Sequence, residues 1–127
     1  MKEKMKNLKQ PKSSKPRKQR SFRANAPLHL RKKFLKVHIS KELRKKLNTK
    51  KRTILLNKGD TVRIMVGKFK GKTGKVSNVD YNKVNITIEG LTHTNVRGQE
   101  KNTPIQPSNV EITDLNMTRY RKTVFTN

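Results

Sequence analysis

Between Gly67 and Val76 three glycines, Gly67, Gly71 and Gly74, are interleaved with four lysines, Lys68, Lys70, Lys72 and Lys75. Glycine accepts backbone conformations closed to other residues and lets a ligand come close to the main chain. Gly71 and Gly74 are expected to take positive φ, with the lysines supplying point charge around them. Bare backbone ringed by ammonium groups is suited to gripping a phosphate backbone. An ordinary glycine-rich turn with solvated lysines has a similar composition, so the loop alone does not decide.

A second set of cations stands near the amino end: Lys15, Arg17, Lys18, Arg20 and Arg23, followed by Arg31, Lys32 and Lys33. Arginine offers a planar fork that binds phosphate bidentately or stacks on an exposed base, so Arg17, Arg20, Arg23 and Arg31 suit a nucleic-acid partner. Phe22 lies inside this stretch and can stack on a base, whereas Phe34 and Phe69 fit a core or rim position equally well. Catalytic chemistry has no comparable support. His29, His38 and His93 lack metal-ligand spacing, cysteine is absent, and Asp60 and Asp80 read as turn residues. The chain is read as a non-enzyme without cofactor or metal.

The charge balance points the same way. Lys and Arg number 33 against 8 Asp and Glu, a net charge of +25 in 127 residues. Residues 1–52 carry 21 Lys or Arg against 2 Glu, while residues 53–127 carry 12 against 6 acids. So many cations repel one another unless a polyanion neutralises them, which makes a free-standing enzyme a poor reading. No apolar run approaches the length that spans a bilayer, no signal peptide is evident, and the lack of cysteine suits a reducing compartment. Membrane insertion and homo-oligomerisation are not expected.

Four segments must position these groups. Residues 1–23 have almost nothing to bury and read as a basic arm, disordered without RNA. Residues 24–52 read as two short basic helices and a linker. The first is capped by Asn25, has Pro27 in its first turn, and repeats Leu30, Phe34 and Val37 along one face; the second is capped by Ser40 and runs through Leu43 and Leu47. Residues 53–115 change to short β-branched runs, with strands around Val62–Val66, Val76–Val79 and Val84–Ile88, and an Asp80–Lys83 turn between the last two. Further runs at Thr92–Val96, Ile105 and Val110–Ile112 are expected to close a small barrel, with Pro104 and Pro107 at edges or loops. Residues 116–127 read as a tail.

The pattern G-x-F-K-G-x-x-G-K-V at Gly67–Val76, preceded by Lys58-Gly59-Asp60, resembles the KOW motif carried on an SH3-like barrel. The flanks are more specific. Pro16-Arg17-Lys18-Gln19-Arg20, Asn25-Ala26-Pro27-Leu28-His29, Ser40-Lys41-Glu42-Leu43-Arg44, Ile88-Glu89-Gly90 and Pro104–Ile112 occur in the order seen in the universal large-subunit ribosomal protein twenty-four family, archaeal and eukaryotic type. The similarity covers about 14–115. It implies a mainly β fold, with a basic extended arm and two short helices before the barrel. It also implies a cytoplasmic large-subunit protein that binds large-subunit ribosomal RNA during assembly, beside neighbouring ribosomal proteins and near the polypeptide exit tunnel, with nascent chain or targeting factors in reach. RNA binding is then expected at Lys15, Arg17, Lys18, Arg20, Arg23, Asn25, His29, Arg31, Lys32, Lys33, Lys68, Lys70, Gly71, Lys72, Gly74 and Lys75. Asn25 is equally a helix cap. A KOW-domain transcription elongation factor, bound to polymerase and nascent RNA, is the alternative, and a membrane-active or chromatin-like cationic protein a more distant one.

Overall fold

Short alternating runs of β-branched residues dominate the second half of the chain and supply its strands, except that the Thr92–Val96 run is not a strand of its own. Thr92–Thr94 are the exposed end of the strand Asn85–Thr94, and Val96 lies in the loop beyond. The computed structural model describes residues 11–126; residues 1–10, where the expected arm begins, and Asn127 lie outside the described residues. The elements in chain order are α1 (Pro16–Asn25), α2 (Leu28–Phe34), β1 (Lys36–Ile39), α3 (Lys41–Lys46), β2 (Thr53–Leu55), β3 (Thr61–Ile64), β4 (Thr73–Asp80), β5 (Asn85–Thr94) and β6 (Glu100–Ile105). A 3-10 turn at Pro107–Asn109, β7 (Val110–Asp114) and α4 (Arg119–Thr126) complete the fold.

The strands join in the order β2-β1-β7-β3-β4-β5-β6. All neighbours are antiparallel except β1 and β7, which run parallel with His38 opposite Glu111. Register shifts after Thr61, Val76 and Thr87 bend the strands, as bulges do, and the sheet curls into a small barrel-like unit. Inside lie Leu35, Val37, Ile39, Leu56, Val62, Ile64, Val76, Ile86, Ile88, Ile105, Val110 and Ile112. Burying each of these side chains contributes about 1.5–3 kcal/mol before entropy is set against it. β6 is an edge strand, which is where its Pro104 costs no ladder hydrogen bond on the open side.

Several local readings are corrected. The arm is helical from Pro16: proline suits the first helical position and Arg, Lys and Gln are good helix formers. Asn25 ends α1 and does not cap α2; Ala26, restricted by the proline that follows, is extended, and Pro27 occupies the N-cap position of α2. Val37 lies on a strand, because Leu35, Val37 and Ile39 alternate at period two into the core. The sheet therefore begins before Thr53. Ser40 does cap α3, its Oγ accepting from the Leu43 N–H at 3.1 Å. The Asp80 turn also forms, its Oδ1 accepting from the Asn82 and Lys83 N–H groups. Val84 belongs to that turn, at φ 56°, and not to β5.

Candidate nucleic-acid interface

α1 buries none of its residues, so its place is set by its last two turns. Phe22 meets Phe34 of α2 edge to face, with ring centroids 6.1 Å apart, and the Arg23 guanidinium lies 5.1 Å from the same Phe34 ring. Phe22 therefore has an intramolecular role, packing α1 on α2, while it stays half-buried. Arg31 completes the joint. Its Nε donates to the Ala26 carbonyl at 2.8 Å, Nη2 to the Ala24 carbonyl at 2.8 Å, and Nη1 to the Asn82 carbonyl at 3.0 Å. Three of its five donors thus tie the end of α1 to α2 and to the β4–β5 turn. It acts as a positioning residue here, and a free phosphate fork is not what the geometry presents.

Held this way, α1 displays Arg17, Lys18, Arg20 and Arg23 to solvent, beginning at Lys15, its N-cap residue. Asn25, His29, Lys32 and Lys33 are exposed along the continuation. Lys32 Nζ stands 5.5 Å from the Tyr81 ring, which draws the α2 cations towards the β4–β5 turn. Arg23, Arg31, Phe34 and Lys83 share the lining of a cleft of about 320 Å³ between these elements.

The loop lysines gather around a different ring. Phe69 is half-buried against the core, and Lys68 and Lys72 place their Nζ atoms 6.0 and 5.3 Å from its centroid. Lys70 and Lys75 are exposed beside them. Gly71 adopts φ +85°, as expected, with open space where a Cβ would point. Gly74 does not. A Cβ there would meet Ile88 Cγ2 at 2.6 Å and the Glu89 carbonyl at 3.1 Å, so this glycine exists to let β4 lie close to β5.

The family comparison settles which KOW proteins these features belong with. A family model that describes the eukaryotic ribosomal proteins L26 together with their archaeal counterparts matches residues 13–127. The chain belongs to this ribosomal protein family. It is also 50% identical, over 103 residues, to the large ribosomal subunit protein uL24 of Pyrobaculum islandicum, a match covering 81% of this chain and 82% of the relative. The family is one of structural ribosomal proteins and not of enzymes.

The family match runs through the C-terminal segment, which the sequence presents as a tail and the structure docks. Arg121, 2% exposed, donates from Nη1 to Asp60 Oδ1 at 2.5 Å and from Nη2 to Asp60 Oδ2 at 2.7 Å. The same guanidinium donates to the Leu55 and Asn116 carbonyls. The Asn57 and Asn116 backbone N–H groups complete the carboxylate, one on each oxygen. Asp60 is consequently a buried hub, and not merely the turn residue its position before β3 suggests. No local sequence signal pairs it with an arginine near the other end of the chain.

Proposed function

We propose that this chain is a structural constituent of the large ribosomal subunit that binds large-subunit ribosomal RNA during assembly and lies near the polypeptide exit tunnel. The observation that carries the RNA reading is the exposed cation array of α1 and α2, held rigidly by Arg31 and the Phe22–Phe34 contact with no acid among the α1 and α2 residues. Lys15, Arg17, Lys18, Arg20 and Arg23, with Asn25, His29, Lys32 and Lys33, face phosphate and sugar. Lys68, Lys70, Lys72 and Lys75 present point charges beside Gly71. Such contacts place the protein on folded RNA by shape, while charge supplies affinity. The position near the tunnel, and the reach to nascent chain, targeting factors and neighbouring ribosomal proteins, follow the family resemblance.

Crosslinking the tagged protein to RNA in its own cells, sequencing the bound RNA and sedimenting the same sample tests this reading. Reads confined to one region of large-subunit RNA, with protein in the subunit and ribosome fractions, are expected. Reads spread over nascent transcripts, with light sedimentation beside polymerase, would replace the ribosomal role with that of an elongation factor.

A further inference from the structure

The docked C-terminal helix closes a groove whose lysines come from α2, β1 and the segment before β2, so that it adjoins the α2 end of the cation array. α4 is held at both ends: Arg121 is anchored on Asp60, and Lys51 Nζ donates to the Val124 carbonyl at 2.7 Å while lying 6.0 Å from the Phe125 ring. Beside the β1–β2 edge it encloses a groove of about 450 Å³. Ile54 and Leu55 of β2 form an apolar floor, and Leu55 is fixed further because its carbonyl accepts from Arg121. Lys32, Lys33, Lys36 and Lys51 line it together with Tyr120, and no Asp or Glu does. Tyr120 is 77% exposed.

An exposed aromatic ring on a docked helix, sharing a groove with apolar side chains and ammonium groups, is matched by one class of ligand. A nucleobase stacks on an aromatic face whatever its identity, and its flanking phosphates require nearby cations. A peptide of acidic residues alone would satisfy the lysines and leave the ring and floor without a partner. We infer that this groove takes an unpaired nucleotide of ribosomal RNA, its base stacked on Tyr120 and its phosphates against Lys33 and Lys36; the inference rests on the RNA-binding reading above. The C-terminal helix thereby becomes an RNA-binding element, and the Asp60–Arg121 pair its positioning device.

The test uses the full chain and purified large-subunit RNA, with affinity followed over a salt series. Tyr120→Ala is expected to weaken binding by about ten-fold or more with the log–log salt slope unchanged, since one stacked base is lost. Tyr120→Phe keeps the ring and is expected to bind like the parent. Lys36→Ala is expected to flatten the slope by about 0.8, as one phosphate contact disappears. Parent-like affinity and slope in all groove variants, while alanines at Arg17, Lys18 and Arg20 reduce both, would overturn the groove and leave the RNA reading standing. If the arm variant also behaves as the parent, it is the RNA reading that fails. Parent-like RNA binding in groove variants that have lost affinity for a hexaglutamate peptide would overturn the proposal in favour of an acidic partner.

Discussion

Arg121 does at the scale of one side chain what a disulfide does elsewhere: it fixes the chain end to the core. Both oxygens of Asp60 are saturated by the guanidinium and two backbone N–H groups, and Asp60 is fully buried. Removing one partner of such a pair strands the other charge, a loss of about 3–5 kcal/mol. Arg121→Met is expected to lower unfolding stability by that amount in a urea titration, and Arg121→Lys to recover little of it. A single ammonium cannot span two carboxylate oxygens and two carbonyls at once. Stability close to that of the parent in Arg121→Met would show that α4 contributes nothing to the fold. This pair is not legible in the sequence because its partners are 61 residues apart, and long-range ion pairs leave no periodicity. Arg31 is hidden for a related reason. An arginine in a basic run has the same sequence context whether it faces phosphate or three of its own carbonyls.

At the scale of elements, the glycines of the KOW loop separate two requirements that look alike in sequence. Gly71 needs its conformation, and Gly74 needs its lack of a side chain. Gly71→Ala is expected to cost about 1 kcal/mol through left-handed backbone strain. Gly74→Ala is expected to cost ~2 kcal/mol through overpacking of Ile88 and β5. Urea midpoints of the two variants check the order, and a larger loss at Gly71 would show that β5 yields more easily than its packing suggests. β3, β4, most of β5 and the Ser40 cap of α3 are legible because hydrophobic alternation and capping are local signals. β1 is not. Leu30, Phe34 and Val37 fit a helical spacing while Leu35, Val37 and Ile39 fit a strand, and tertiary pairing with β2 and β7 decides for the strand.

For the whole molecule, charge is concentrated early in the chain and core later: the first 52 residues carry a net +19, from 21 cations and 2 acids, and the strands from β3 onward supply most of the buried hydrophobic side chains. In the RNA-binding role proposed above, such a molecule is expected to bind by counterion release. Replacing Arg17, Lys18 and Arg20 by alanine is expected to reduce the log–log salt slope for ribosomal RNA by about 2, with little change in thermal stability because none of the three is buried. An unchanged slope would show that α1 stands clear of phosphate. The parallel pairing of His38 with Glu111 and Ile39 with Ile112 has a further consequence, for synthesis. Translation makes β1 before β2–β6 and β7 after them, so the β1–β7 and β3–β7 pairs wait for β7. Contacts so distant in sequence are slow to form and impossible on an unfinished chain. Until β7 is made, β1 and β3 each lack one neighbour, although the β1–β2 and β3–β4–β5–β6 pairings already have both partners. A fragment ending before Val110 lacks the strand that joins β2-β1 to β3-β4-β5-β6, and is expected to hold two separate strand groups in place of one seven-stranded sheet.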